Sequence, residues 1–267
     1  MIHSVPAAAA GTPCWTVSRR PDPRLRRHVL AYSGFSTATP IPHRILPINV
    51  PALVIDLTGA CRVVTGPSAT PVVGGQSRWG HGVTVGLTPA GASALLGVPT
   101  PELVGQVVPL DDVVLPEQLA ATTSWDARFA LLNRWLAARL DPAAPEDPLV
   151  TAAWWRLQRG PGRARAGAVA AALGVSRRRL ETGFQRAIGL SPGTVSRIAR
   201  FQRATVRLLS GAPIATAAAD TGYADQPHLT RDVRAFAGLT PTALRALVAP
   251  ASVPVAHSFK TRPAGPA

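Results

Sequence analysis

Near its end the chain repeats itself, and that repeat limits the folds open to it. The stretch GVSRRRLETGFQRAIGLSP (174–192) returns in altered form as GYADQPHLTRDVRAFAGLTP (222–241). Leu180, Phe184, Gly189, Leu190, Ser191 and Pro192 recur as Leu229, Val233, Gly238, Leu239, Thr240 and Pro241, each 49 positions on. The turn glycines Gly174 and Gly222 are 48 apart, so the second copy carries one extra residue in its turn. Each copy reads as a short helix, a glycine turn and a second helix with apolar residues at helical spacing, the sequence shape of a helix-turn-helix unit.

The formal net charge is +14, and its placement says more than its size. Residues 1–150 hold 11 Arg against 10 Asp and Glu, whereas residues 151–250 hold 15 Arg against only Glu181, Asp220, Asp225 and Asp232. A near-neutral half joined to a polycation is the electrostatic footprint of a chain that meets nucleic acid or an anionic membrane. The repeat favours the former, since a nonspecific polycation needs no ordered pair of helices. In the first copy Leu180, Phe184 and Ile188 take the inward face and leave Arg177, Arg178, Arg179, Glu181, Thr182 and Gln185 on outer arcs. In the second, Leu229, Val233 and Phe236 leave Gln226, Pro227, His228, Thr230, Arg231 and Arg234 outside. Arg and Gln suit guanine and adenine edges, and further arginines, Arg186 among them, suit phosphates. Ser176 and Asp225 are the expected N-caps, and the unpaired N–H groups of the helix starts favour an anion at the same end.

The rest of the chain divides by pattern. Residues 17–115 are rich in Val, Leu and Ile and broken by Pro and Gly, with short strands expected at 52–57, 61–65 and 83–87. A short helix is expected at 89–96, ended by Gly97. A longer one is expected from the Ser124 cap through Leu140, with Phe129, Leu132, Trp135, Leu136 and Leu140 on one face. That face either contacts a second copy of the chain or packs on its own β domain. DPAAPEDP (141–148) reads as a linker. Beyond it helices are expected at 149–158, 165–173, 176–188, 192–210, 214–221 and 225–237, with a last one from Pro241 to near Val248. The fold class expected is therefore α+β. A β-rich domain spans 17–140, and an all-α domain spans 149–250, with two helix-turn-helix units joined by a linker helix. Residues 1–16 and 251–267 are expected to be a disordered leader and tail of a cytoplasmic protein, because no apolar run approaches the ~20 residues of a membrane span and the N-terminus lacks a basic n-region.

The second copy closely resembles the C-terminal domain of AraC/XylS-type transcription regulators. The residues that carry this resemblance are Ile214, Ala217, Gly222-Tyr223, Asp225-Gln226, His228-Leu229, Arg231, Phe236, Gly238, Thr240-Pro241 and Arg245. It extends over about 149–248, with Leu229 standing where Phe is commoner. The resemblance implies two recognition helices, at about 176–188 and 225–237, that read successive major grooves. It places Arg178, Glu181 and Thr182 of the first, and Gln226, Pro227, His228 and Arg231 of the second, toward the bases. The full DNA-binding set on this reading adds Ser176, Arg177, Arg179, Arg186, Thr230 and Arg234. HRILP (43–47) and GLTPAGASALLG (86–97) resemble, more weakly, an uncharacterised β-rich domain that precedes this module in regulators of actinobacterial type. The partners implied are double-stranded DNA, a small-molecule effector or a second copy for the N-terminal half, and RNA polymerase where the protein activates; no membrane partner and no cofactor is expected.

The alternative from another class is an enzyme or DNA-repair protein that carries such a module. It needs an activated nucleophile or a metal site. His3, His28, His43 and His81 form neither an H-x-H nor an H-x3-H pair, and Cys14 and Cys61 stand in no active-site motif. Asp111-Asp112 reads as a cap or turn, and no phosphate-cradling glycine loop or G-x-S-x-G is present. No catalytic and no metal-binding residue is therefore expected.

Overall fold

The computed structural model describes residues 1–8, 15–59, 61–110, 115–160 and 166–248. The expectations for Cys14, Asp111-Asp112 and the 251–267 tail lie outside those residues. The first half is an antiparallel sheet of seven strands in the order β1 (Ser4–Pro6), β3 (Val29–Ile45), β6 (Val72–Leu87), β4 (Ala52–Asp56), β5 (Arg62–Thr65), β7 (Val107–Pro109), with β2 (Trp15–Arg19) paired to β3. The leader expectation is corrected at both ends. Ser4–Pro6 pairs with His43–Ile45, and Trp15 already belongs to a strand.

Pro40 and Pro42 read as breakers in the sequence, yet both lie within the 17-residue strand β3. The β3–β6 register shifts between Ser36 and Ile41 and again between Pro42 and Arg44, and such bulges absorb residues that cannot donate to a ladder. The short strand expected at 83–87 is thus the end of a 16-residue one, β6, paired with the long bent β3.

One face of the sheet is covered by α1 (Pro89–Leu96), α2 (Leu115–Ala121) and α3 (Trp125–Arg139). Thr88 caps α1 and Ser124 caps α3, each accepting the N–H three residues on. Phe129, Leu132 and Leu136 of α3 are buried with Tyr32, Leu53, Ile55, Val83 and Val85 of the sheet. Trp125 rests on β3 where Gly34 has no side chain; a Cβ there would stand 2.2 Å from its ring. The apolar stripe of α3 is thus used within the chain.

Among the described residues the other face has no helix of its own half to cover it. Its far end closes on Phe35, Ile45, Val54, Val63 and Trp79. The remainder is covered by the second half of the chain, α4 (Pro148–Arg159), α5 (Ala166–Ala172), α6 (Arg177–Ala187), α7 (Pro192–Leu209), α8 (Ile214–Asp220), α9 (Gln226–Ala237) and α10 (Pro241–Ala246). Ile48, Val50 and Ala52 are buried with Trp154, Leu157, Leu180, Phe184 and Val195. Val5 and Leu46 are buried with Ile198, Phe201, Leu229 and Phe236. Asp147 caps α4, so only a short turn separates the halves at 141–147. The first half thus keeps clusters of its own, while the helical half builds its two clusters jointly with the sheet, because a sheet with helices on one face must bury its other apolar face somewhere.

Polar side chains pin the contact. Gln202 of α7 accepts from Ile2 N at 2.8 Å and donates to Ile2 O at 3.0 Å and Pro47 O at 2.8 Å. Asn49 donates to Val195 O at 3.1 Å and accepts from Gln158 Nε2 at 2.7 Å. Satisfied buried amides of this kind fix one register of packing, since any slip leaves them unpaired.

Ile48→Ala should lower the unfolding free energy by about 2–4 kcal/mol in a single transition that includes the helical half. Urea denaturation followed by tryptophan fluorescence and by helical circular dichroism checks this. Two separate transitions, with only the β signal moved, would contradict a shared core.

Candidate nucleic-acid interface

The two copies use the same local devices at equivalent positions. Ser176 Oγ accepts from Arg179 N at 3.1 Å, and its counterpart Asp225 accepts from His228 N at 2.7 Å. Ser191 and Thr240 cap α7 and α10 in the same manner. Gly174 and Gly222 take positive φ, 67° and 82°, which lets each chain leave one helix and enter the next at a steep angle. Val169 and Ala170 of α5 pack under α6 as Ala217 and Ala218 of α8 pack under α9. In the second turn Tyr223 is buried; His228 meets its ring edge-on at 5.0 Å and accepts from Ala224 N through Nδ1 at 3.5 Å.

With the apolar faces inward, Ser176, Arg177, Arg178, Arg179, Thr182 and Arg186 are exposed on the first copy, and Gln226, Pro227, Arg231 and Arg234 on the second. Glu181, His228 and Thr230 are half-buried. The structure therefore gathers all the candidate residues on the two helices and their caps. Glu181 is already engaged by Arg177 Nε at 2.8 Å.

Each acid of 151–250 has an internal partner. Glu181 pairs with Arg177, Asp220 with Arg207, Asp225 is the α9 cap, and Asp232 bridges Arg197 at 3.2 Å and Arg200 at 2.8 Å. Arg200 also lies over the Tyr223 ring, 4.4 Å from its centroid, and Arg197 over Phe236 at 5.0 Å. These α7 contacts fix the second unit on the connecting helix. Among the described residues, Arg178, Arg179, Arg186, Arg231 and Arg234 have no carboxylate within salt-bridge reach. Arg156 and Arg159 of α4, Arg203 of α7 and Arg245 of α10 likewise have none, so the two exposed helices carry five of these nine arginines.

The two tryptophans of α4 differ. Trp154 is buried, but its neighbour Trp155 lines an open depression of about 470 Å³ with Ala152, Arg156, Arg159 and Gly160. The Arg159 guanidinium sits 4.7 Å from the Trp155 ring centroid, a pairing that the i, i+4 spacing allows.

The N-terminal titratable groups are arranged differently from the arginines. His43 stacks on Trp79 at 4.7 Å, and His3 lies 6.1 Å from the same ring with its Nε2 2.9 Å from Thr65 Oγ1. Burial, reinforced by its neighbour His43, depresses His3 to about 3, and burial depresses His43 to about 4. Asp56 is fully buried and accepts from Gly80 N at 2.8 Å, His81 N at 3.3 Å and Thr58 N at 2.8 Å, tying the β4–β5 turn to β6. Burial, then Asp56, pushes the Cys61 thiol up to about 11, so it stays protonated at neutral pH. Among the described residues no group of three or more His, Cys, Asp or Glu is placed to hold a metal ion.

Two helix-turn-helix units of this geometry on one chain make a tandem DNA-binding domain. Residues 169–246 match the family model described as a helix-turn-helix domain. Among solved structures, a transcriptional regulator with an AraC-type DNA-binding domain from Chromobacterium violaceum is similar at 27% identity, over 39% of this chain and 94% of its own, with a TM-score of 0.36. The C-terminal domain of AraT, a response regulator from Geobacillus stearothermophilus, is similar at 23% identity over 42% and 96%, with a TM-score of 0.38. ToxT from Vibrio cholerae shares 9% identity over 89% of this chain and 99% of its own, with a TM-score of 0.50, a likeness of fold that runs through both halves. No curated protein matches the chain.

The buried histidines give acid sensitivity a defined sign. Unfolded histidine takes up a proton near pH 6.5, whereas His3 and His43 in the fold refuse it until about 3 and about 4. Stability should be full above pH 7 and fall by roughly 2–4 kcal/mol between pH 6.5 and 5, with a smaller fall in His43→Phe. Urea unfolding at both pH values checks this; equal stabilities would contradict two neutral buried rings.

Proposed function

We propose that this DNA-binding transcription regulator reads two successive major grooves of double-stranded DNA with α6 and α9, under the control of its N-terminal half. The observation that carries the reading is the set of arginines left without carboxylates on the exposed faces of two helices related by the repeat. Arg178 and Thr182 of α6 and Gln226, His228 and Arg231 of α9 are assigned to base edges, with Glu181 available to a cytosine amino group and Pro227 to a thymine methyl. Ser176, Arg177, Arg179, Arg186, Thr230 and Arg234 are assigned to phosphates.

Both units stand in the same order in one chain, so one molecule cannot present them as the symmetric halves of a dimer. They are joined by α7, 18 residues long, which spans about 27 Å at ~1.5 Å per residue. Successive major grooves on one face recur every ~34 Å. One molecule therefore covers a non-palindromic site with two patches about one turn apart, and flexible pyrimidine–purine steps between them lower the cost of any bend. Control by the N-terminal half takes the form of a small-molecule effector or of self-association, and an activating role adds RNA polymerase as partner. Work on DNA puts the protein in the cytoplasm, and no helix among the described residues is long and apolar enough to cross a membrane.

Selection of the full chain on randomised duplexes, followed by hydroxyl-radical footprinting, tests the reading. Two protected patches one turn apart are expected from a single bound molecule, with affinity falling by roughly 0.9 log units per log unit of salt for each phosphate contact. Arg178→Ala and Arg231→Ala should relax base preference at single positions by about 1–3 kcal/mol, whereas Arg234→Ala should weaken all sequences together. Arg207, held by Asp220, is expected to matter less than any of these. A palindrome bound only by pairs of molecules, or uniform losses in all three variants, would overturn the assignment.

A further inference from the structure

Gly189 and Gly238 occupy equivalent places in the repeat, each just beyond the C-terminus of one exposed helix and each at positive φ, 79° and 67°. The N-terminal half bears on both. At the first, Pro101 and Val104 approach so closely that a Cβ on Gly189 would stand 2.6 Å from Val104 Cγ2 and 3.1 Å from Pro101 Cα. At the second, Arg44 of β3 donates through Nη1 to the Ala237 carbonyl at 3.1 Å, and the same nitrogen is 3.4 Å from where a Gly238 Cβ would stand. A guanidinium at a helix C-terminus meets unpaired carbonyls and the negative end of the helix dipole. Between these two points the connecting helix is held by Gln202 and by the Asn49 bond to Val195 O.

Both supports belong to the N-terminal half. Arg44 sits in β3, the strand that pairs with β1, β2 and β6. The turn that carries Pro101 and Val104 is tied to the same domain, because Thr100 Oγ1 donates to Pro89 O at 2.8 Å and Gly105 N donates to Pro67 O at 2.8 Å. A single helix of α7's length can curve, and the first unit packs at its start through Val195 whereas the second packs along it from Arg197 to Leu208. Bracing the far ends of α6 and α9 from one sheet removes that freedom.

The geometry points to the N-terminal half as a brace that sets the distance and angle between the two helix-turn-helix units, with Arg44 as the positioning residue for the second. DNA sites are then selected by the spacing of the two patches as well as by base sequence. Whatever shifts β3 or the 100–104 turn shifts that spacing. The inference rests on the DNA reading proposed above, and the experiment separates the two.

The test uses the full chain and duplexes carrying its own selected patches, with the intervening segment shortened or lengthened by one and two base pairs. The wild type should prefer one spacing clearly. Arg44→Met keeps the aliphatic stem and removes the charge-assisted bond, and it should reduce the ratio between preferred and neighbouring spacings by about tenfold. Binding at the neighbouring spacings should persist, and Arg44→Lys should recover part of the ratio. Should Arg44→Met fail to fold, Val104→Ala, which withdraws the contact at Gly189, is expected to flatten the same profile. An equal loss at all spacings, an unchanged ratio in the variants, or a wild type indifferent to spacing would overturn the brace. A folded wild-type chain that binds none of the duplexes would remove the DNA reading itself, and the brace with it.

Discussion

The structure depends on the second face of the β-sheet being buried by helices from the other half of the chain. Ile48, Val50 and Ala52 find their cover in Trp154, Phe184 and Val195, and Val5 and Leu46 find theirs around Phe201 and Phe236. Without that cover an apolar sheet face would meet water, and the contact has the character of an interior rather than of two surfaces touching. The amides of Gln202 and Asn49 then choose one register for it. What looks in the sequence like a regulatory domain tethered to a DNA-binding one is, in packing terms, one body with two ends.

A second economy runs through the helical half. It has four acids for its fifteen arginines, and all four are spent internally, on a helix cap, on the α7–α8 and α7–α9 contacts and on one pair within α6. The Asp232 site shows the logic. One carboxylate, nearly buried, joins two arginines of α7 whose guanidiniums also stack on Tyr223 and Phe236, and so ties the second unit to the connecting helix. Arginines used there hold the fold, and those left over on α6 and α9 give the positive face from which the proposed function follows. Arg207 shows why composition alone misassigns such residues: its sequence context resembles that of its neighbours, but Asp220 holds it.

The N-terminal half carries its polar groups inside rather than in a row. His3 and His43 come together on Trp79 because β1 pairs with β3, although 40 residues separate them in the chain. Buried and neutral, they act as packing residues whose cost appears only when the pH falls, and Cys61, kept protonated by burial, has the character of a core thiol.

By itself the sequence determined the local devices and the class. The serine, threonine and aspartate caps, the left-handed turn glycines, the apolar spacing on α6, α7 and α9 and the offset of 49 all act within a few residues, so each could be read where it stood. That is why α1, α3 and the helices of both units fall within a residue or two of their expected bounds. Only the tertiary structure decided the rest. The bends that carry β3 past two prolines depend on a partner strand with matching bulges. The cover of the sheet joins distant segments, and the bond from Gln202 to Ile2 and the hold of Arg44 on Ala237 join residues about 200 positions apart. No periodicity in one segment reports which distant segment will cover it, because burial is a property of the pair and is settled only when the whole chain has packed.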